Sequence, residues 1–154
     1  MEKSIVCGVD GSADSEAALA AAARLADRLD ARLVLANVVE YVHSPFATVD
    51  AIGPGRIGRA PLADVLEEQV RAGERLLEEM AEQANVETAE RRVVSGFAAE
   101  RLADLADEED AEVIVVGSRG RGAFKAAFLG SVSTSLIGVA RCPVLVVPPG
   151  VRES

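Results

Sequence analysis

Five short apolar runs alternate with segments of helical period, and that alternation limits the fold more than any single residue does. The runs are Ser4 to Asp10, Leu33 to Val39 within Arg32 to Glu40, Glu90 to Ser95, Glu112 to Val116 and Pro143 to Val147. Apart from the weaker third, they are apolar throughout rather than alternating with polar residues. A strand of that kind is buried on both faces, as in a parallel sheet covered by helices on both sides. The intervening segments supply the helices. Ala13 to Leu29 carries Leu19, Ala22, Ala26 and Leu29 on one stripe, with Asp14 and Glu16 near a helix start where the macrodipole favours acids. Pro61 suits the start of a second helix, with Leu62, Val65, Leu66, Val70, Leu77, Met80, Ala81 and Ala84 at helical spacing. Ala98 to Glu109 and Val132 to Arg141 complete the set. The expected order is β-α-β-α-β-α-β-α-β, a doubly wound α/β fold, and the chain is read as one domain over residues 1–154.

With 154 residues and only four Phe and one Tyr, the core has to be built from Val, Leu, Ile and Ala. Tyr41 to Ala60 has no period and holds Pro45, Pro54 and three glycines, which reads as a long loop. Two cysteines, Cys7 and Cys142, fall in or beside strands and read as small buried hydrophobes. The single histidine, His43, excludes a multi-histidine metal site and reads as a solvated loop residue. A net charge of -9 disfavours nucleic-acid binding, which needs a basic face. The acidity suits an ordinary acidic protein or one adapted to salt, since only Lys3 and Lys125 are lysines. The run Asp107 to Asp110, at the end of a helix where the dipole prefers cations, reads as a solvated face. No run approaches the length of a membrane span, and Met1-Glu-Lys-Ser has no leader character, so the expectation is a cytoplasmic protein.

Chemistry concentrates in one loop. Gly117-Ser-Arg-Gly120, nine residues, then Gly130-Ser131 lie between an apolar strand and a helix start. Backbone N–H groups converge at such a place, and the helix dipole favours an anion. Glycine lets phosphate oxygens reach the amides and permits φ > 0. Arg119, Arg121 and Lys125 add local positive charge to an acidic chain, although Arg119 and Arg121 also read as solvated loop charges. There is no G-K-(S/T), so this is not a Walker loop. The turn Gly8-Val-Asp-Gly-Ser-Ala lacks the third glycine of a dinucleotide fingerprint. Asp10 reads as a helix cap, as an acceptor for ribose hydroxyls, or as a metal ligand beside phosphates.

The glycine pattern resembles that of the universal stress protein family, whose nucleotide-binding members carry G-x2-G-x9-G-(S/T). Gly117, Gly120, Gly130 and Ser131 match it without a gap. Ile5 to Ser12 looks like that family's first strand with its acidic end, and Cys142 to Pro148 like its closing strand. The resemblance implies a Rossmann-like sheet in strand order 3-2-1-4-5. That order would bring Asp10 and Gly117 together at the switch point where ligands favour binding. It implies ATP, with Mg²⁺, as cofactor. Val9 and Asp10 would be ligand contacts, with Asp10 also the metal's protein ligand. Val38 and Val116 would flank adenine, Gly117 would lie along the ribose, and Gly120, Gly130, Ser131 and Val132 would offer amides to the phosphates, with Arg119 beside them. It also implies a homodimer through the last strand, Pro143 to Val147, an apolar edge that needs a partner.

The functional expectation is thus a regulatory, stress-response protein that binds an adenine nucleotide. No dedicated water-activating residue is evident, which leaves slow hydrolysis or self-phosphorylation open. Two alternatives stand beside it. One is an ATP-using adenylyl-transfer enzyme of related architecture, faintly suggested by Asp10-Gly-Ser-Ala-Asp-Ser15. The other is an interaction module that binds no nucleotide.

Overall fold

The computed structural model describes residues 2–40, 62–120 and 129–150. Its elements are β1 (Ser4–Gly8), α1 (Ala13–Leu29), β2 (Arg32–Val39), α2 (Leu62–Gln83), β3 (Glu90–Ser95), α3 (Ala98–Glu108), β4 (Ala111–Gly117), α4 (Ser131–Val139) and β5 (Val144–Val147). The strands form one sheet in the order β3-β2-β1-β4-β5, and every pairing is parallel. The expected fold class and strand order are the observed ones. The expected loop from Tyr41 to Ala60, with His43, lies outside the described residues, as do Pro61, Arg121 and Lys125.

Side-chain alternation along the strands divides the core in two. Ile5, Cys7 and Val9 project to one face and pack with Leu19 and Ala22 of α1 and Leu77 and Met80 of α2. Val6, Val34 and Ile114 project to the other and pack with Leu102 and Leu105 of α3 and Leu136 of α4. Both faces are covered, so both parities must be apolar, which is why the strands carry no polar alternation. The Cys7 thiol belongs to the first of these clusters, and burial pushes its pKa up to about 12. Burial also raises that of Cys142, with Asp107 adding to it. Each is therefore a neutral, weakly nucleophilic thiol.

Helix ends explain most of the boundaries. Ser12 caps α1, its Oγ accepting the Ser15 N–H at 3.2 Å, so Asp10 is not the cap it was open to being. Leu29, expected on the buried stripe, is the last residue of α1 and is exposed, as is Val65 in the first turn of α2. Three turns from helix to strand close on a non-glycine residue in the left-handed region: Asp30, Asn85 and Asp110, with φ of 50°, 55° and 50°. Around the first two, the following amide reaches back to a carbonyl of the last turn, Ala31 to Ala26 and Val86 to Ala81, each at 2.9 Å.

The acidic run Asp107 to Asp110 is only partly the solvated face it was expected to be. Asp107, Glu108 and Asp110 are exposed, but the Glu109 side chain retains 9% of its accessibility. Its carboxylate accepts from Arg32 and Arg92, each at 2.7 Å, and both arginines also pair with Glu90. The Ser4 hydroxyl donates to the Glu109 carbonyl at 2.7 Å. This network ties the amino ends of the strands together, away from the loops that follow β1, β2 and β4.

Candidate functional site

The chain direction reverses around the sheet between β1 and β4, so their carboxyl ends diverge into a crevice. There the described residues bound a cleft of about 760 Å³, within the roughly 300–1,000 Å³ of small-molecule sites. Ala36 and Val38 of β2, Ala98 and Leu102 of α3, and Val116 of β4 give it apolar walls, with Glu40 at their edge accepting the Ala98 amide at 3.4 Å. Its polar end is formed by Asp10, Arg119, Gly120, Gly130 and Ser131. All ten residues expected at the site line this one cleft: Val9, Asp10, Val38, Val116, Gly117, Arg119, Gly120, Gly130, Ser131 and Val132.

The glycines of the loop are required for close approach rather than for unusual dihedrals. Gly130 is the N-cap of α4 with φ -66°, and among the described residues positive φ occurs in glycine only at Gly11, Gly96 and Gly150. Gly117, Gly120 and Gly130 thus do not use the φ > 0 that glycine permits. A Cβ on Gly117 would lie 2.7 Å from the Asp14 carbonyl carbon, so β4 meets the first turn of α1 backbone to backbone. A Cβ on Gly120 would lie 2.8 Å from Asp10 Oδ2, and one on Gly130 would lie 3.3 Å from both Arg119 Cα and the Ser118 carbonyl.

The loop is held from three sides. The Ser118 amide donates to the Val147 carbonyl at 2.9 Å, tying the loop to β5. The Ser133 hydroxyl donates to the Gly117 carbonyl at 2.8 Å, tying it to α4. From α1, Asp14 Oδ2 accepts the Ser118 hydroxyl at 2.8 Å and the Arg119 amide at 3.0 Å, and pairs with Arg119 Nε at 3.5 Å. Asp14 was read in the sequence as a favourable acid at a helix start and as one member of the Asp10 to Ser15 segment, not as a partner of the glycine loop. Nothing local distinguishes it, because its partners lie 104 and 105 residues away.

The amides divide unevenly. Gly130 donates its N–H to the Ser118 carbonyl at 2.7 Å, so that amide closes the loop and is not open to a phosphate as expected. The cap is a glycine, with no side chain to cover the helix end. The next three amides, of Ser131, Val132 and Ser133, therefore have no intrahelical partner and lie at the positive end of the α4 dipole. Ser131 is the first helical residue, so its hydroxyl is not the cap. Val9 is mostly a core residue, with its amide on the Ala36 carbonyl at 2.8 Å and its carbonyl accepting from Asn37 Nδ2 at 2.9 Å. Asp10 Oδ1 accepts the Ser12 amide at 2.9 Å, which holds the carboxylate at the mouth of the cleft.

The chain as a whole is similar to several known proteins. A universal stress protein of Mycobacterium tuberculosis is 31% identical over 148 residues, 94% of this chain and 95% of the relative. A solved universal stress protein in complex with cAMP is 27% identical and superposes with a TM-score of 0.69, covering 96% of this chain and 98% of its own. UspA from Lactobacillus plantarum, at 19% identity, shares the fold with a TM-score of 0.73 over 94% of this chain and 97% of its own. The profile describing such proteins matches residues 1–148, nearly the whole sequence, and the chain accordingly belongs to the universal stress protein family.

Proposed function

We propose that the cleft binds an adenine nucleotide, ATP in the first instance, and that the protein acts as a cytoplasmic stress-response regulator whose state depends on nucleotide occupancy. The observation that carries this reading is the uncapped α4 N-terminus in a cleft that also has apolar walls at Val38, Leu102 and Val116. Such a site suits a ligand with a flat apolar head and an anionic tail. The base would lie against Val38 and Val116, and the phosphates would take the amides of Ser131, Val132 and Ser133, with Arg119 and Gly120 beside them. A family structure with bound cAMP supports the ligand class.

Mg²⁺ fits this site in one way. Among the described residues no group of three His, Cys, Asp or Glu side chains could hold a metal by itself. Asp10 places Oδ2 against Gly120, at the phosphate end. A single carboxylate plus phosphate oxygens and water is an ordinary donor set for Mg²⁺. Asp10 would be its protein ligand, and the ion would neutralise phosphate charge in an acidic protein.

The chain also has a surface for a second copy. β5 is an edge strand, with Leu145 40% exposed, and Ile137 and Val139 of the adjoining α4 are exposed as well. We propose a homodimer through this edge, Pro143 to Val147. The nucleotide reading is tested by heat-denaturing the purified protein and identifying what it releases, then titrating it calorimetrically with ATP, ADP, cAMP and adenosine, with and without Mg²⁺. Release of an adenine nucleotide, or saturable binding of one, is expected. No bound nucleotide and no heat on titration would leave an interaction module as the reading.

A further inference from the structure

Asp14 has surroundings that a helix-start acid does not require. Its side chain keeps 10% of its accessibility, and one oxygen, Oδ2, takes all three contacts with Ser118 and Arg119. A carboxylate removed from water is costly unless its lone pairs are satisfied and its charge is met. Here the hydroxyl, the amide and the guanidinium that satisfy it belong to the two residues between Gly117 and Gly120. The pairing depends on Gly117, since a Cβ there would meet the Asp14 backbone at 2.7 Å and push α1 off the strand.

Two degrees of freedom are removed at Arg119. The amide hydrogen bond fixes its backbone at the turn into Gly120. The ion pair engages Nε, one edge of a planar fork whose other donors are the two Nη groups. Arg119 lines the cleft, so the edge not facing Asp14 is the one that serves a ligand. The carboxylate also opposes an anion in the cleft directly, so its contribution has to act through the residue it holds.

We propose that Asp14 is the positioning residue of the phosphate end: it presents Arg119 and the Gly120 turn to the anionic part of the ligand, and thereby makes affinity depend on phosphate. This rests on the nucleotide reading above. The test is calorimetric titration of ATP and adenosine into wild type, Asp14→Asn, Arg119→Ala and the double variant, with circular dichroism as a check on folding. Asparagine keeps an acceptor oxygen but loses the charge that holds Nε. Asp14→Asn should weaken ATP about tenfold, the scale of one charge-assisted hydrogen bond, and leave adenosine unchanged. In the Arg119→Ala background the same substitution should cost nothing further. Equal losses for ATP and adenosine, multiplying losses in the double variant, or unchanged ATP affinity in Asp14→Asn would each overturn the proposal while leaving the nucleotide reading in place. Wild type that binds neither ligand would remove that reading and this proposal with it. Should Asp14→Asn not fold, Asp14→Glu carries the same test. It keeps the charge but displaces it by a methylene, and the ratio of ATP to adenosine affinity should still fall; an unchanged ratio overturns the proposal.

Discussion

A methyl group on Gly117 and one on Gly120 would meet different kinds of obstacle. At Gly117 the obstacle is the Asp14 backbone, at 2.7–2.8 Å, and α1 can yield only by moving as a whole. Gly117→Ala should therefore destabilise the fold by about 1–3 kcal/mol, read as a lower melting temperature. At Gly120 the obstacle is a side-chain oxygen, Asp10 Oδ2, at 2.8 Å, rather than backbone. Gly120→Ala should melt closer to wild type than Gly117→Ala and, on the proposed ATP and Mg²⁺ reading, lose the ion-dependent part of binding, read by titration with and without the ion. Cys7 gives a prediction in pH. Its folded pKa is about 12 against an ordinary 9.0, so between those values the unfolded chain ionises and the folded chain does not. Stability from this group is whole below pH 9 and falls as pH rises toward 12. Cys7→Ala should show a shallower alkaline decline in denaturant unfolding than wild type. The site glycines were legible in the sequence because their spacing is local and long. Asp14 and the engaged Gly130 amide were not, because each is defined by a partner that only the tertiary fold brings near.

Among the elements, the strands were the most legible and the helix ends the least. Two-sided burial leaves a plain apolar run, whereas a helix boundary depends on caps such as Gly130, which starts α4 one residue earlier than its apolar pattern suggests. α4 stops at Val139 rather than at Arg141, because the cap residue Ala140 is already extended, with φ -69° and ψ 143°. The acidic end of α3 shows why charge runs mislead. Four acids in a row look alike, yet it is Glu109, the cap just past α3, that forms the ion pairs with Arg32 and Arg92. Glu109→Gln should cost about 1–2 kcal/mol in urea denaturation, because the pairs are strong in geometry but their arginines are partly solvated. Glu90 is held below the usual carboxylate range, first by the hydrogen bond from Arg92 and then by the nearby arginine charges. Its contribution is present above the unfolded pKa and lost as pH falls through the folded one. Glu90→Gln should flatten the acid limb of the stability curve and leave the region near neutrality with a smaller loss than Glu109→Gln.

For the molecule as a whole, the exposed apolar side chains on β5 and α4 set the test of self-association. Leu145→Glu should shift a dimer toward monomer at micromolar concentration in sedimentation or light scattering, since burying an unpaired carboxylate at a two-fold edge is costly. Wild type that is already monomeric there would remove the proposed dimer. The overall architecture was legible because connectivity in parallel α/β sheets is so restricted, but which apolar residues stay exposed was not, since a sequence does not distinguish a covered leucine from an edge one. The left-handed turns at Asp30, Asn85 and Asp110 all sit at the amino ends of strands, while the cleft sits at the carboxyl ends. Replacing these three residues by glycine should raise the melting temperature, since each left-handed non-glycine residue carries about 1 kcal/mol of strain and two of them, Asp30 and Asp110, place an acid after a helix C-terminus. ATP affinity should not change. Durability and recognition are then inherited at opposite poles of the same strands, so a lineage can adapt to a hotter or saltier habitat by drift at one pole while the other continues to answer to the same small molecule.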